Sequence, residues 1–167
     1  MRFPKPSFDD LVAHYETDPE TVHDCPRIHT KNPVNINTCA IRITEALVIA
    51  NGLIESRAKI AQLTTGGGNG KQFLLGHYNY RANLCPHGVG RGATDVGYWL
   101  VEQWGKPTHT FVQPNQAPKE IDGLTGVLCF VKIPGYSGQG HMDVWNRTGP
   151  VGHAYWNSQK VLFWKVE

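Results

Sequence analysis

The chain has 167 residues, of which 40% are hydrophobic and 18% charged, enough apolar material for one well-buried core and too little for two. Lys and Arg number 16 against 14 Asp and Glu, a balance too even for a nucleic-acid footprint. No apolar run approaches the ~18 residues of a membrane span, and the opening "MRFPKPSFDDLVAHYE" lacks the apolar centre of a signal peptide. Residues 1–167 therefore read as a single domain with neither membrane insertion nor an export signal of its own.

In chain order, Ser7 is placed to cap a helix over residues 8–16, with Asp9 and Asp10 near its positive end. A proline-punctuated loop follows. From Thr38, the residues Ala40, Ile41, Ile43, Leu47 and Val48 make a helical stripe that Asn51 and Gly52 stop. Residues 64–92 hold eight glycines and read as a long surface excursion suited to binding. Thr94 is placed to cap a helix on which Val96, Leu100 and Trp104 recur at fourfold spacing, before Gly105 and Pro107 end it. Beyond it the period changes. Residues 126–133, 140–146, 154–156 and 160–166 read as short antiparallel strands separated by Gly, Pro and Asn turns. Helices first and a meander afterwards predict an α+β fold, with N-terminal helices packed on a C-terminal antiparallel β-sheet.

Cys39 opens the first core helix, in "NPVNINTCAIRIT". The thiolate is the reactive form of cysteine, and the positive end of a helix favours it, so this is a nucleophile's position. A buried cysteine is also ordinary core, as Cys129 in "VLCFV" is expected to be. A nucleophile needs a base, and His141, after Gly140 at the start of a strand, is the candidate. Among eight histidines a partly exposed structural role is the commoner one, and spacing alone does not overturn it. The order helps: a cysteine on the first core helix, a histidine on a later strand and a polar residue beyond it is how papain-like hydrolases build a thiolate–imidazolium pair.

Several stretches together resemble the fourth family of type VI secretion amidase effectors, small bacterial toxins that cut peptidoglycan. These are "KPSF" near the start, "NTCAIRIT" around Cys39, "EQWGKP" ending at Pro107, "GHMDVWN" around His141 and the late "LFW". The resemblance implies a papain-like fold and cleavage of the γ-D-glutamyl–meso-diaminopimelate bond of stem peptides. It implies Cys39 as nucleophile, His141 as base, and no metal or cofactor. It further implies secretion from the cytoplasm, action in the periplasm of a target cell, and a cognate immunity protein that plugs the cleft. Members of the family place an aspartate about eleven positions after the histidine, where this chain has Gly152 followed by His153.

Two residues compete for that third role. Asp143 lies two positions from His141 on one strand, about 7 Å along the backbone, whereas a facing residue on a neighbouring strand stands about 5 Å away. That comparison favours His153, with Asp143 as the alternative. The backbone N–H of Cys39 and a side-chain amide from Asn37 or Asn35 would serve the oxyanion. Tyr78, Tyr80 and Arg81, in the glycine-rich excursion, are available to an acidic, extended stem peptide. Arg42 reads as a buried structural pairing.

Other motifs fit less well. "GGGNGKQ" lacks the first glycine and the Ser or Thr of a phosphate loop. Cys25 and Cys85, both beside prolines with histidines nearby, match no common zinc spacing; a disulfide between them suits a toxin acting in an oxidising compartment. "NRT" is a glycosylation sequon only in a eukaryotic secretory setting. A non-catalytic glycan-binding module, favoured by five Trp and six Tyr, and a zinc-dependent hydrolase are the alternative functions.

Overall fold

The computed structural model describes residues 2–17, 38–63, 74–80, 84–85, 87–136 and 138–167. Helix α1 (Phe8–His14) starts as expected: the Ser7 hydroxyl accepts the backbone N–H of Asp10 at 3.1 Å. Helix α2 (Cys39–Ala50) is buried at every residue from Cys39 to Ile49. Such a helix can hold charged residues only if each has a partner. Arg42 Nη1 donates to the carbonyls of Glu16 and Thr17 at 3.1 and 3.2 Å, the structural role expected of it. Glu45, fully buried, accepts from Arg57 Nε at 2.7 Å. Arg57 opens α3 (Arg57–Ala61), a five-residue helix capped by Ser56, too short to give a periodic signal.

Helix α4 (Ala93–Trp104) is preceded by Gly92, not capped by Thr94. The Thr94 hydroxyl instead donates to the Gln139 carbonyl, and Gln139 Nε2 donates to Asp95 at 3.2 Å. These bonds fasten the start of α4 to the loop that leads into His141. Among the described residues no helix is long and apolar enough to cross a membrane.

The sheet comprises β1 (His109–Val112), β2 (Thr125–Val131), β3 (His141–Asn146), β4 (Gly149–Pro150) and β5 (Lys160–Lys165), in the order β1-β5-β2-β3-β4 with every pair antiparallel. The strand predicted over 154–156 is absent. There Ser158 N–H turns back to the Tyr155 carbonyl at 3.1 Å and the Trp156 carbonyl accepts from Asn115 N–H at 2.8 Å, so these backbone groups are spent on a turn and a contact between loops. Strand β1, short and half exposed, was not foreseen.

Both faces of the sheet are covered. Val127, Cys129, Met142, Val144 and Trp164 join the helices in the main core, while Leu128, Phe130, Trp145, Val161 and Phe163 form a second cluster with Phe111 of β1 and the loop aromatics Tyr155 and Trp156. Gly126, in β2, is closely approached by the neighbouring strand β5: a Cβ there would lie 2.2 Å from the Trp164 carbonyl oxygen and 2.7 Å from the Phe163 ring. Gly149 has open space around its own. Gly126→Ala is thus expected to cost about 1–3 kcal/mol through overpacking, with Gly149→Ala close to neutral. Urea unfolding of the two variants checks this, and equal midpoints would refute the packing argument.

Candidate active site

Cys39 is the first residue of α2 and is buried; no acidic residue stands in that helix's first turn to oppose a thiolate. His141 is the first residue of β3, also buried, and its ring is hydrogen-bonded by the side chains of both Cys39 and Asp143. Nε2 lies 2.9 Å from Asp143 Oδ2. With Nε2 occupied, Nδ1 is the nitrogen left for the sulfur.

Asp143 is wholly buried and its two oxygens are saturated. Oδ1 accepts from the backbone N–H groups of Val144 at 2.8 Å and Gly152 at 2.9 Å; Oδ2 accepts from that of His153 at 2.8 Å as well as facing His141. Three amides in place before any substrate arrives hold the carboxylate fixed.

The expectation that His153 orients His141 is therefore corrected. The His153 side chain is exposed, and its contribution to the site is its backbone N–H, directed to Asp143. The register explains why. Strand β4 ends at Pro150, opposite Trp145, so the chain has left the sheet before residue 153 can face His141. The backbone separation counted against Asp143 is closed by its side chain and the imidazole leaning toward each other.

The surroundings tune the base. Burial alone would lower the His141 pKa, but the hydrogen bonds from Asp143 and Cys39, with the negative charge each can carry, outweigh it and raise it to about 9. Phe130 stacks near the ring at 6.0 Å and Tyr155 meets it edge-on at 5.1 Å. Tyr155 also pairs with Tyr136 at 6.1 Å, and Tyr136 lies near Cys39. The sequence reading missed these two half-buried tyrosines; the signal available was that they flank the His141 strand on either side. It also missed Tyr15, whose buried hydroxyl has no hydrogen-bond partner among the described residues and which lies near Asp143, Arg42 and Cys39.

The tyrosines proposed for substrate lie elsewhere. Tyr78 is 4% exposed, with its ring packed 6.0 Å from Trp99 and 5.4 Å from Tyr80, so it is core. Tyr80 lies near the acidic side chains of Glu102 and Asp95, poor company for an acidic peptide. Arg81, Asn35, Asn37, Cys25 and the "GGGNGKQ" stretch fall outside the described residues. The Cys85 sulfur accepts the His87 backbone N–H at 3.3 Å, and its pairing with Cys25 stays an expectation. Cys129 is fully buried core, as expected.

Helices packed on an antiparallel sheet, with a helix-opening cysteine beside a strand histidine and a buried carboxylate, define a papain-like α+β hydrolase. The profile of the family "type VI secretion system (T6SS), amidase effector protein 4" matches residues 36–164, and the chain belongs to that family of secreted amidase effectors. Solved structures agree in fold. The effector Tae4 from Enterobacter cloacae is 14% identical with a TM-score of 0.65, each chain covered in full. Tae4 from Salmonella typhimurium, in complex with the immunity protein Tai4 from Enterobacter cloacae, is 15% identical at 0.63, with 98% of this chain and 100% of that one covered. No curated protein sequence is significantly similar to this chain.

The raised His141 pKa has a thermodynamic sign. The folded protein holds this proton more tightly than the unfolded chain, whose histidine titrates near 6.5, so the stabilisation is fully present below about pH 6.5 and is lost as pH rises through about 9. Urea midpoints should fall over that interval, and Asp143→Asn should flatten the fall. An identical pH dependence in the variant would remove Asp143 as a source of the shift.

Proposed function

We propose that this amidase effector cuts the γ-D-glutamyl–meso-diaminopimelate amide of peptidoglycan stem peptides through Cys39, His141 and Asp143, in one domain spanning residues 1–167. The observation that carries the proposal is the placement of His141 between the Cys39 sulfur and the buried Asp143 carboxylate. The thiolate attacks the amide carbonyl carbon, and the oxyanion forms beside the Cys39 backbone N–H at the positive end of α2, with Asn37 as second donor. The imidazolium gives its proton to the leaving amine, the C–N bond breaks, and a thioester remains. Water enters, His141 takes its proton, and the hydroxide oxygen displaces the sulfur. Asp143 keeps the ring oriented and offsets its positive charge throughout. Every proton is moved by a side chain, with no metal or cofactor in the scheme.

The related Tae4 structures include complexes with the immunity protein Tai4. By the same reading a cognate immunity protein covers this cleft, and the secreted effector acts in the periplasm of the target cell.

Digestion of purified peptidoglycan, followed by mass spectrometry, should release fragments with a newly free diaminopimelate amine. Cys39→Ala should abolish release while remaining folded, because it trims one small side chain at a helix start; activity in the folded variant would end the cysteine mechanism. Asp143→Asn should lower turnover by about 10²-fold or more, and His153→Ala should stay near wild type because it keeps its backbone N–H. The reverse pattern would return the third role to His153.

A further inference from the structure

Gly152 stands apart from the turn glycines. Its backbone is not in the left-handed region, so conformational freedom does not explain it. A Cβ on Gly152 would lie 2.6 Å from Asp143 Oδ2, closer than side chains approach, and in ordinary contact with Cγ and Oδ1 at 3.4 Å. Its N–H meanwhile donates to Asp143 Oδ1 at 2.9 Å. The residue therefore approaches the carboxylate as backbone alone, from the side where any other residue would place a side chain.

We propose that Gly152 is a positioning residue: the Asp143 carboxylate occupies the volume of its missing side chain, and the seat made by the amides of residues 144, 152 and 153 accepts a carboxylate delivered from position 143 or, when that position is cut back, from position 152. The proposal rests on the reading of Asp143 as the group that orients His141. It follows from the geometry that an added methyl at 152 acts on catalysis only through Asp143. Pushed off its seat, the carboxylate loses amide donors and its alignment with Nε2. The base is misplaced although nothing next to the sulfur has changed.

The test compares wild type, Gly152→Ala, Asp143→Ala, the double variant Asp143→Ala/Gly152→Ala and the relocation variant Asp143→Ala/Gly152→Asp on one purified muropeptide, with far- and near-UV circular dichroism for folding. Gly152→Ala should lose about 10²-fold in turnover, the scale of an ångström-sized misplacement, and its alkaline activity limb should move to lower pH, as in Asp143→Ala. In the Asp143→Ala background the same methyl should cost less than about 3-fold, since coupled sites are not additive. Should Gly152→Ala fail to fold, the double variant, free of the clash, should fold. The relocation variant should exceed Asp143→Ala by about 10-fold or more, a restored orienting carboxylate being of that order or larger. An equal cost of the methyl in both backgrounds, a fully active Gly152→Ala, a double variant no better folded than an unfolded Gly152→Ala, or a folded relocation variant no more active than Asp143→Ala overturns the proposal. An almost silent Asp143→Ala would instead overturn the orienting role on which it rests.

Discussion

A carboxylate shut away from water survives in a protein only when its oxygens are saturated with donors. Asp143 meets that condition, and much of the surrounding architecture serves it. Strand β3 supplies the residue and the first amide, and the segment after β4 returns to supply two more. The shortness of β4 is part of this arrangement. Had the ladder run on, the amides of residues 152 and 153 would be claimed by sheet pairing instead of being turned toward the carboxylate.

The Cys39 sulfur is held by a different means. Helix α2 is enclosed on every side, and its two internal charges are satisfied by groups brought from elsewhere, Arg57 from α3 and the carbonyls after α1. A helix with no exposed face between Cys39 and Ile49 has little room to shift, so its first residue is presented at a constant position. The base belongs to the sheet and the sulfur to the helices. Their contact depends on the packing of α2 against β3, with the Gln139 anchor on α4 steadying the approach to His141.

What the sequence revealed divides along the range of the forces involved. The Ser7 cap, the α2 stripe with its stop at Asn51 and Gly52, and the β2, β3 and β5 strands are written in near neighbours, and they appear where expected. That Cys39 opens a helix and His141 a strand was legible for the same reason, one from the helical stripe and the other from the glycine before its strand. The orienting group was not. Its identity depends on where the chain leaves the sheet after Pro150 and on how two side chains lean, neither of which has a local signature. Tyr78 misled because glycine-rich surroundings suggest a surface loop, whereas its ring lies against Trp99 in the core. Tyr136 and Tyr155 went unnoticed because their approach to His141 is purely tertiary.

The strand order bears on how a cell can make such a protein safely. Strand β5 lies between β1 and β2, yet it follows all the other strands in the chain. During synthesis the cysteine helix and the histidine strand emerge first, and the sheet that must bring them together still lacks an interior member. Until β5 inserts, β1 has no neighbour and one edge of β2 is open. Contacts this distant in sequence form late and cooperatively, so a nascent or truncated chain holds the reactive groups without their alignment. The sheet that aligns Cys39 with His141 is thus complete only once the last strand of the chain has taken its interior place.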